Sequence, residues 1–157
     1  MSDQPQPSAT QRHLDVANVR AALRRLAGAE QAPWLHAEVA RRMAERLSII
    51  LAKPKALLEW WGFAGAGGKV LAEAYPEAQR YVVEPTEALR VRSRALAQAP
   101  WWSPRHWRGA QVEVIAPDDV AASSVQLVWA NMMLHASEAP ALLMARWHRA
   151  LAVDGFV

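Results

Sequence analysis

Cysteine is absent from the 157 residues, so no disulfide braces the fold and no thiolate can hold a metal. Histidine occurs 5 times, yet never at the His-x-x-x-His spacing that sets two imidazoles on one helical face, so no metal site is expected. No long uncharged apolar run and no early apolar export segment occur, which predicts no membrane partner and a cytoplasmic address. Charge of one sign is in little excess, with 18 Lys+Arg against 15 Asp+Glu for a net charge of +3. The arginines gather only locally, at Arg20, Arg24 and Arg25 and at Arg41, Arg42 and Arg46, short of the one-faced basic patch that nucleic acid requires. Solvated helix faces account for them equally well.

What is present reads as one globular domain. At 52% hydrophobic and 21% charged residues, a chain of this length buries roughly 70% of its unfolded surface. Residues 1–10 are polar and proline-bearing and are expected to be a disordered tail. Residues 11–53 read as N-terminal helices. Residues 54–157 read as an alternating strand and helix domain.

Glycine is scarce, at 7 residues, and four of them (Gly62, Gly65, Gly67 and Gly68) fall in one turn. The turn follows the apolar run Leu57-Leu58-Glu59-Trp60-Trp61 and precedes Lys69-Val70-Leu71-Ala72-Glu73-Ala74, giving a buried strand, a tight turn and a helix start. Such a turn is expected to use positive φ and to let a ligand approach backbone N–H groups. The next strand-like run, Arg80 to Val83, delivers Glu84 at the offset where dinucleotide folds hold ribose hydroxyls.

Ahead of this unit, Val16, Val19, Leu23 and Leu26 recur at helical spacing, with Gly28 as a stop. A second stripe of Leu35, Val39, Met43, Leu47 and Leu51 follows Pro33, with Glu38 four residues before Arg42 on its wet face. Beyond Glu84, a helix over 87–97 is followed by a loop holding Trp101, Trp102 and His106. Gln111–Ile115 then reads as a third strand, Val125–Asn131 as a fourth, Glu138–Leu151 as a helix, and Gly155-Phe156-Val157 as the opening of a fifth strand after an Asp154-Gly155 turn. Alternation of this kind implies a parallel sheet with ligands at the strands' carboxyl ends, where the glycine turn, Glu84, Asp118 with Asp119, and Asn131 with Met132 converge.

Four blocks resemble the class I S-adenosylmethionine-dependent methyltransferases, and among them the malonyl-carrier-protein O-methyltransferase type of biotin synthesis. They are Gly62-Phe63-Ala64-Gly65-Ala66, Val83-Glu84-Pro85, the run from Val128 to His135, and the run from Trp147 to Phe156. The resemblance implies a Rossmann-like α/β fold of strand order 3-2-1-4-5, incomplete beyond the fifth strand, with two helices in front. It implies S-adenosylmethionine as cofactor, with Trp61, Gly62, Ala64 and Gly65 against the methionyl part, Glu84 and Pro85 at the ribose, Asp118 near the adenine, and Asn131 and Met132 on the floor. The partner it implies is a small-molecule or carrier-protein-bound substrate. Two positions depart from the pattern: Trp60 stands where an acidic residue usually closes the first strand, leaving Glu59 one place early on the opposite face, and Gln126 replaces an aspartate.

No catalytic residue is assigned, because methyl transfer from a sulfonium to a carboxylate needs alignment and desolvation more than a base. His135 is therefore not required as one. Trp60 and Trp61 fit core filling at least as well as adenine stacking. Two other readings stand beside this one: an NAD-dependent oxidoreductase, since Gly62 to Gly67 also fits G-x-A-x-x-G, and a non-enzymatic binding module that keeps the fold. An unpaired outer edge on strand five would favour self-association.

Overall fold

A computed structural model describes residues 14–97 and 111–157. The tail at 1–10 and the loop with Trp101, Trp102 and His106 lie outside them. Two helices come first, α1 (Val16–Gly28) and α2 (Trp34–Leu47). The sheet strands are β1 (Ala56–Trp60), β2 (Gln79–Val83), β3 (Val112–Ile115), β4 (Val125–Ala130) and β5 (Leu151–Phe156). Between them run a short turn of helix α3 (Gly62–Gly65), then α4 (Gly68–Ala74), α5 (Glu87–Ala97) and α6 (Pro140–Ala150). All neighbouring strands are parallel, in the order β3-β2-β1-β4-β5. The expected order therefore holds.

Each face of the sheet is covered for a sequence reason. Alternate residues of β1 point to opposite faces. Leu58 and Trp60 pack with Val83, Val128 and, from α6, Trp147 and Ala150. Leu57 packs with Leu127, Trp129, Leu71 of α4 and Ala40 and Leu47 of α2. Trp60 meets Trp147 edge to face, centroids 6.0 Å apart, so it belongs to the core and not to a stacking platform. The departure at Gln126 has a local role: its Oε1 accepts the Lys55 and Ala56 N–H groups at 3.0 and 2.9 Å and fixes the start of β1.

The helix ends follow chemistry more than periodicity. Asp15 caps α1 by accepting the N–H groups of Ala17 and Asn18, a contact that typically adds about 1 kcal/mol. The apolar stripe read through α2 is corrected at both ends, because Leu35 is exposed and the helix stops at Leu47, leaving Leu51 at 95% exposure. The expected pair on the wet face forms, with Glu38 accepting from Arg42 at 2.7 Å and from Arg41 as well.

β5 also departs from expectation. It starts at Leu151, directly after α6, and its register slips so that Val125 faces Leu151 while Leu127 faces Phe156. The surplus residues form a bulge in which Asp154 takes φ 63° and Gly155 has no Cβ to meet Leu151 and Ala152. Asp154-Gly155 is thus a kink inside a strand and not a turn before one.

The glycine turn is corrected in the same spirit. None of the described glycines has positive φ; the left-handed positions in the turn are Trp61 at 55° and Ala66 at 54°. The glycines serve close packing instead. A Cβ on Gly62 would lie 2.5 Å from Val82 Cγ1, and one on Gly67 would lie 2.6 Å from Trp129 Nε1 and 2.8 Å from Glu59 Oε1. One on Gly65 would find nothing nearer than 3.6 Å. Urea denaturation should therefore separate them: Gly67→Ala is expected to cost about 1–3 kcal/mol through overpacking, and Gly65→Ala under about 0.5 kcal/mol. Equal losses would contradict the packing account.

Candidate functional site

The turn, the end of β2 and the end of β4 meet at the carboxyl edge of the sheet. Glu84, the residue after β2, is fully buried. Its Oε1 accepts the Phe63 N–H at 2.7 Å and the Ser93 hydroxyl at 2.7 Å, so one oxygen ties the turn to α5. Its Oε2 has no hydrogen-bond partner. Burial pushes the carboxyl up to about 7, the two hydrogen bonds oppose the rise, and the nearby Glu59 charge adds to it.

Asn131, after β4, donates through Nδ2 to Gly65 O and to His36 O, both at 2.8 Å, and its Oδ1 is buried without a partner. His36 Nδ1 lies 2.7 Å from Ala64 O. Thus α2 is pinned to both ends of the site by one side chain and one carbonyl. Nothing in the sequence marked His36, because its partners lie 28 and 95 positions away.

Glu59 lies on the face opposite Trp60, as strand alternation implied, and its place under the turn is what the sequence left unread. The turn folds back over the face that carries Leu57, so the residue two positions on in β1 lies under it. Glu59 is 1% exposed, pairs with Arg80 at 2.8 Å, and sets its Oε1 beside Gly67 and Trp129 Nε1. Burial raises its carboxyl above the ordinary range against the pull of Arg80. A buried ion pair is costly to halve, so Arg80→Leu should destabilise by about 3–5 kcal/mol, and adding Glu59→Gln should recover part of the loss in thermal unfolding.

The remaining expected residues occupy different surroundings. Gly62, Ala64 and Gly65 are buried within the turn, and Trp61 is half-buried, packed against both the β1 core and the cluster of Leu23, Phe63 and Leu89. Pro85 is half-buried beside Glu84. Met132 follows Asn131 at φ 54° and is exposed. Asp118 stands on the surface after β3, where its carboxylate meets Arg146 of α6 at 3.1 Å. No group of three or more metal-ligating side chains occurs among the described residues.

No protein-family profile matches the chain. Curated relatives do: the malonyl-(acyl-carrier protein) O-methyltransferase of Gallionella capsiferriformans (strain ES-2) is 32% identical over 149 residues, and that of Laribacter hongkongensis (strain HLHK9) 30% over 150, each covering 92% of this chain. The chain is a class I methyltransferase homologue. It spans about half the length of these relatives, 50% of each. Among solved structures, a methyltransferase of Haloferax volcanii in complex with the Trm112 activator superposes with TM-score 0.61 at 15% identity, covering 88% of this chain and 56% of that one. An arsenic(III) S-adenosylmethionine methyltransferase from Chlamydomonas reinhardtii gives 0.54 at 18%, covering 87% and 46%. These two likenesses establish the fold. No helix among the described residues of the homologue is long and apolar enough to cross a membrane.

The raised carboxyl of Glu84 sets a pH dependence. An acid that sits near 7 in the fold and at 4.5 in the unfolded chain adds stability below pH 4.5 and loses it as pH rises through 7. Relative to Glu84→Gln, the wild type should lose up to about 3 kcal/mol between those limits. Urea midpoints across that range check the sign, and parallel curves for the two proteins would remove Glu84 as the cause.

Proposed function

We propose that this methyltransferase homologue binds S-adenosylmethionine at the glycine turn and serves S-adenosylmethionine-dependent methyl transfer, with a carrier-protein-bound malonyl carboxylate as the acceptor. One observation carries the reading. Two buried acceptor oxygens, Glu84 Oε2 and Asn131 Oδ1, stand without partners at the carboxyl ends of β2 and β4. A buried acceptor left unpaired costs about 1–3 kcal/mol, so a ligand rich in hydroxyl and amino donors would satisfy them. The residues fit an adenosyl amino acid in that respect, and the names of the sequence relatives supply the acceptor.

In this proposal Glu84 accepts the ribose hydroxyls, the Trp61–Gly65 segment faces the methionyl part, Asn131 and Met132 form the floor, and Asp118 serves the adenine amino group. The bound cofactor supplies an electrophilic methyl group. The chain's own part is to align that methyl with the acceptor and to exclude water, which accounts for the absence of an assigned base. The carrier protein would approach the same carboxyl edge.

Calorimetric titration with S-adenosylmethionine, S-adenosylhomocysteine and NAD in parallel tests the reading, with binding of the first two and not the third as the expected result. Binding of NAD alone would favour an oxidoreductase, and binding of none would leave a fold without the cofactor. An ionised carboxylate accepts hydroxyl hydrogens more strongly than a protonated one, and at pH 6 only about a tenth of a carboxyl of pKa about 7 is ionised. Affinity for S-adenosylhomocysteine should therefore rise up to about tenfold from pH 6 to pH 8, and Glu84→Gln should bind more weakly with a flat profile. A flat profile in the wild type would take Glu84 out of the ribose site.

A further inference from the structure

The ribose-acid candidate is shut in by its own turn. Glu84 is fully buried, and the Phe63 N–H occupies one of its oxygens. The Phe63 side chain, 8% exposed, packs with Leu23 of α1 and Leu89 of α5. Over its ring lies the Arg92 guanidinium, 4.3 Å from the centroid. The same guanidinium donates to Glu30 O at 2.8 Å and to Ala27 O at 3.3 Å, so it is held by the carbonyls at the end of α1. Trp61, the left-handed residue that opens the turn, packs into the same cluster. A bulky residue at φ 55° is a conformation of order 1–3 kcal/mol above its alternatives, retained only because the surroundings hold it.

These contacts form one chain: α1 holds Arg92, Arg92 holds the Phe63 ring, and the Phe63 backbone holds Glu84. We infer that Phe63 and Arg92 form a latch that keeps the Trp61–Gly65 turn closed over Glu84, and that an adenosyl ligand gains both oxygens of this carboxylate, the buried free Oε2 and the amide-bound Oε1, only when the turn opens and gives up the Phe63 N–H. The inference rests on the proposed cofactor reading. Aligned with it, the ribose hydroxyls replace the amide as donors to Glu84, and the turn moves away from α1 and α5. The strained Trp61 stores part of what opening requires, and α1 with its arginine anchor sets how often the turn opens. Phe63 is then an access-determining residue, with affinity reduced by the fraction of molecules in the closed state.

The test uses the full chain, with Phe63→Ala and Arg92→Gln compared against wild type by calorimetric titration with S-adenosylhomocysteine, after circular dichroism has established folding. Removing the latch should raise affinity, by about tenfold for Phe63→Ala and about threefold for Arg92→Gln, which loses the cation–π contact. Amide exchange gives a second reading that needs no variant: saturating S-adenosylhomocysteine should accelerate exchange at Phe63 N–H while slowing it elsewhere in the turn. If Phe63→Ala does not fold, Arg92→Gln and the exchange measurement decide. Wild type that binds as well as or better than the variants, with Phe63 exchange unchanged or slowed, overturns the latch and leaves the cofactor reading standing. Absence of binding by all three proteins overturns both.

Discussion

A carboxylate taken out of water constrains the whole carboxyl edge of this sheet. Glu84 cannot be ionised inside the protein at small cost, and it stays there because one oxygen collects the Phe63 N–H and the Ser93 hydroxyl. Those two hydrogen bonds bring the first turn and α5 to the end of β2. The turn must then approach the strands closely, and Gly62 and Gly67 are glycines because Val82, Trp129 and Glu59 occupy the space a Cβ would take. The strained backbone follows as well, since Trp61 must turn sharply between the end of β1 and the bond to Glu84.

The two leading helices belong to this arrangement. α1 supplies Leu23 to the cluster around Phe63 and offers its terminal carbonyls to Arg92. α2 supplies the His36 carbonyl to Asn131 and an imidazole to Ala64. They are supports for the turn, and they explain why a nucleotide-type sheet is preceded by residues that a sheet alone would not need. The likeness to methyltransferases extends through them, covering 92% of the chain in the two sequence relatives described above.

Two buried acids at neighbouring strand ends give the site its electrostatic character. Glu59 has Arg80 to offset its burial, whereas Glu84 has only neutral donors. The difference separates them: Glu59 is paired with Arg80 beneath the turn, and Glu84 keeps one oxygen free and a carboxyl pushed up to about 7 by burial.

The sequence by itself determined the class of fold. Alternating apolar runs and helical stripes are local signals, and they yielded the parallel sheet, while its order came from the family resemblance. The resemblance in the Val83-Glu84-Pro85 and Val128–His135 blocks yielded the site candidates. Where the signal was periodic but the environment was not, the sequence misled: Leu51 keeps the spacing of α2 yet lies past its end, and Asp154-Gly155 has turn chemistry yet forms a bulge. Tertiary structure alone decided that the left-handed positions are Trp61 and Ala66, that Glu59 faces the turn, and that Arg92 and His36 reach it. The physical reason is that each depends on which groups meet across the folded chain, on burial and on close packing, and none of these is encoded within a window of neighbouring residues.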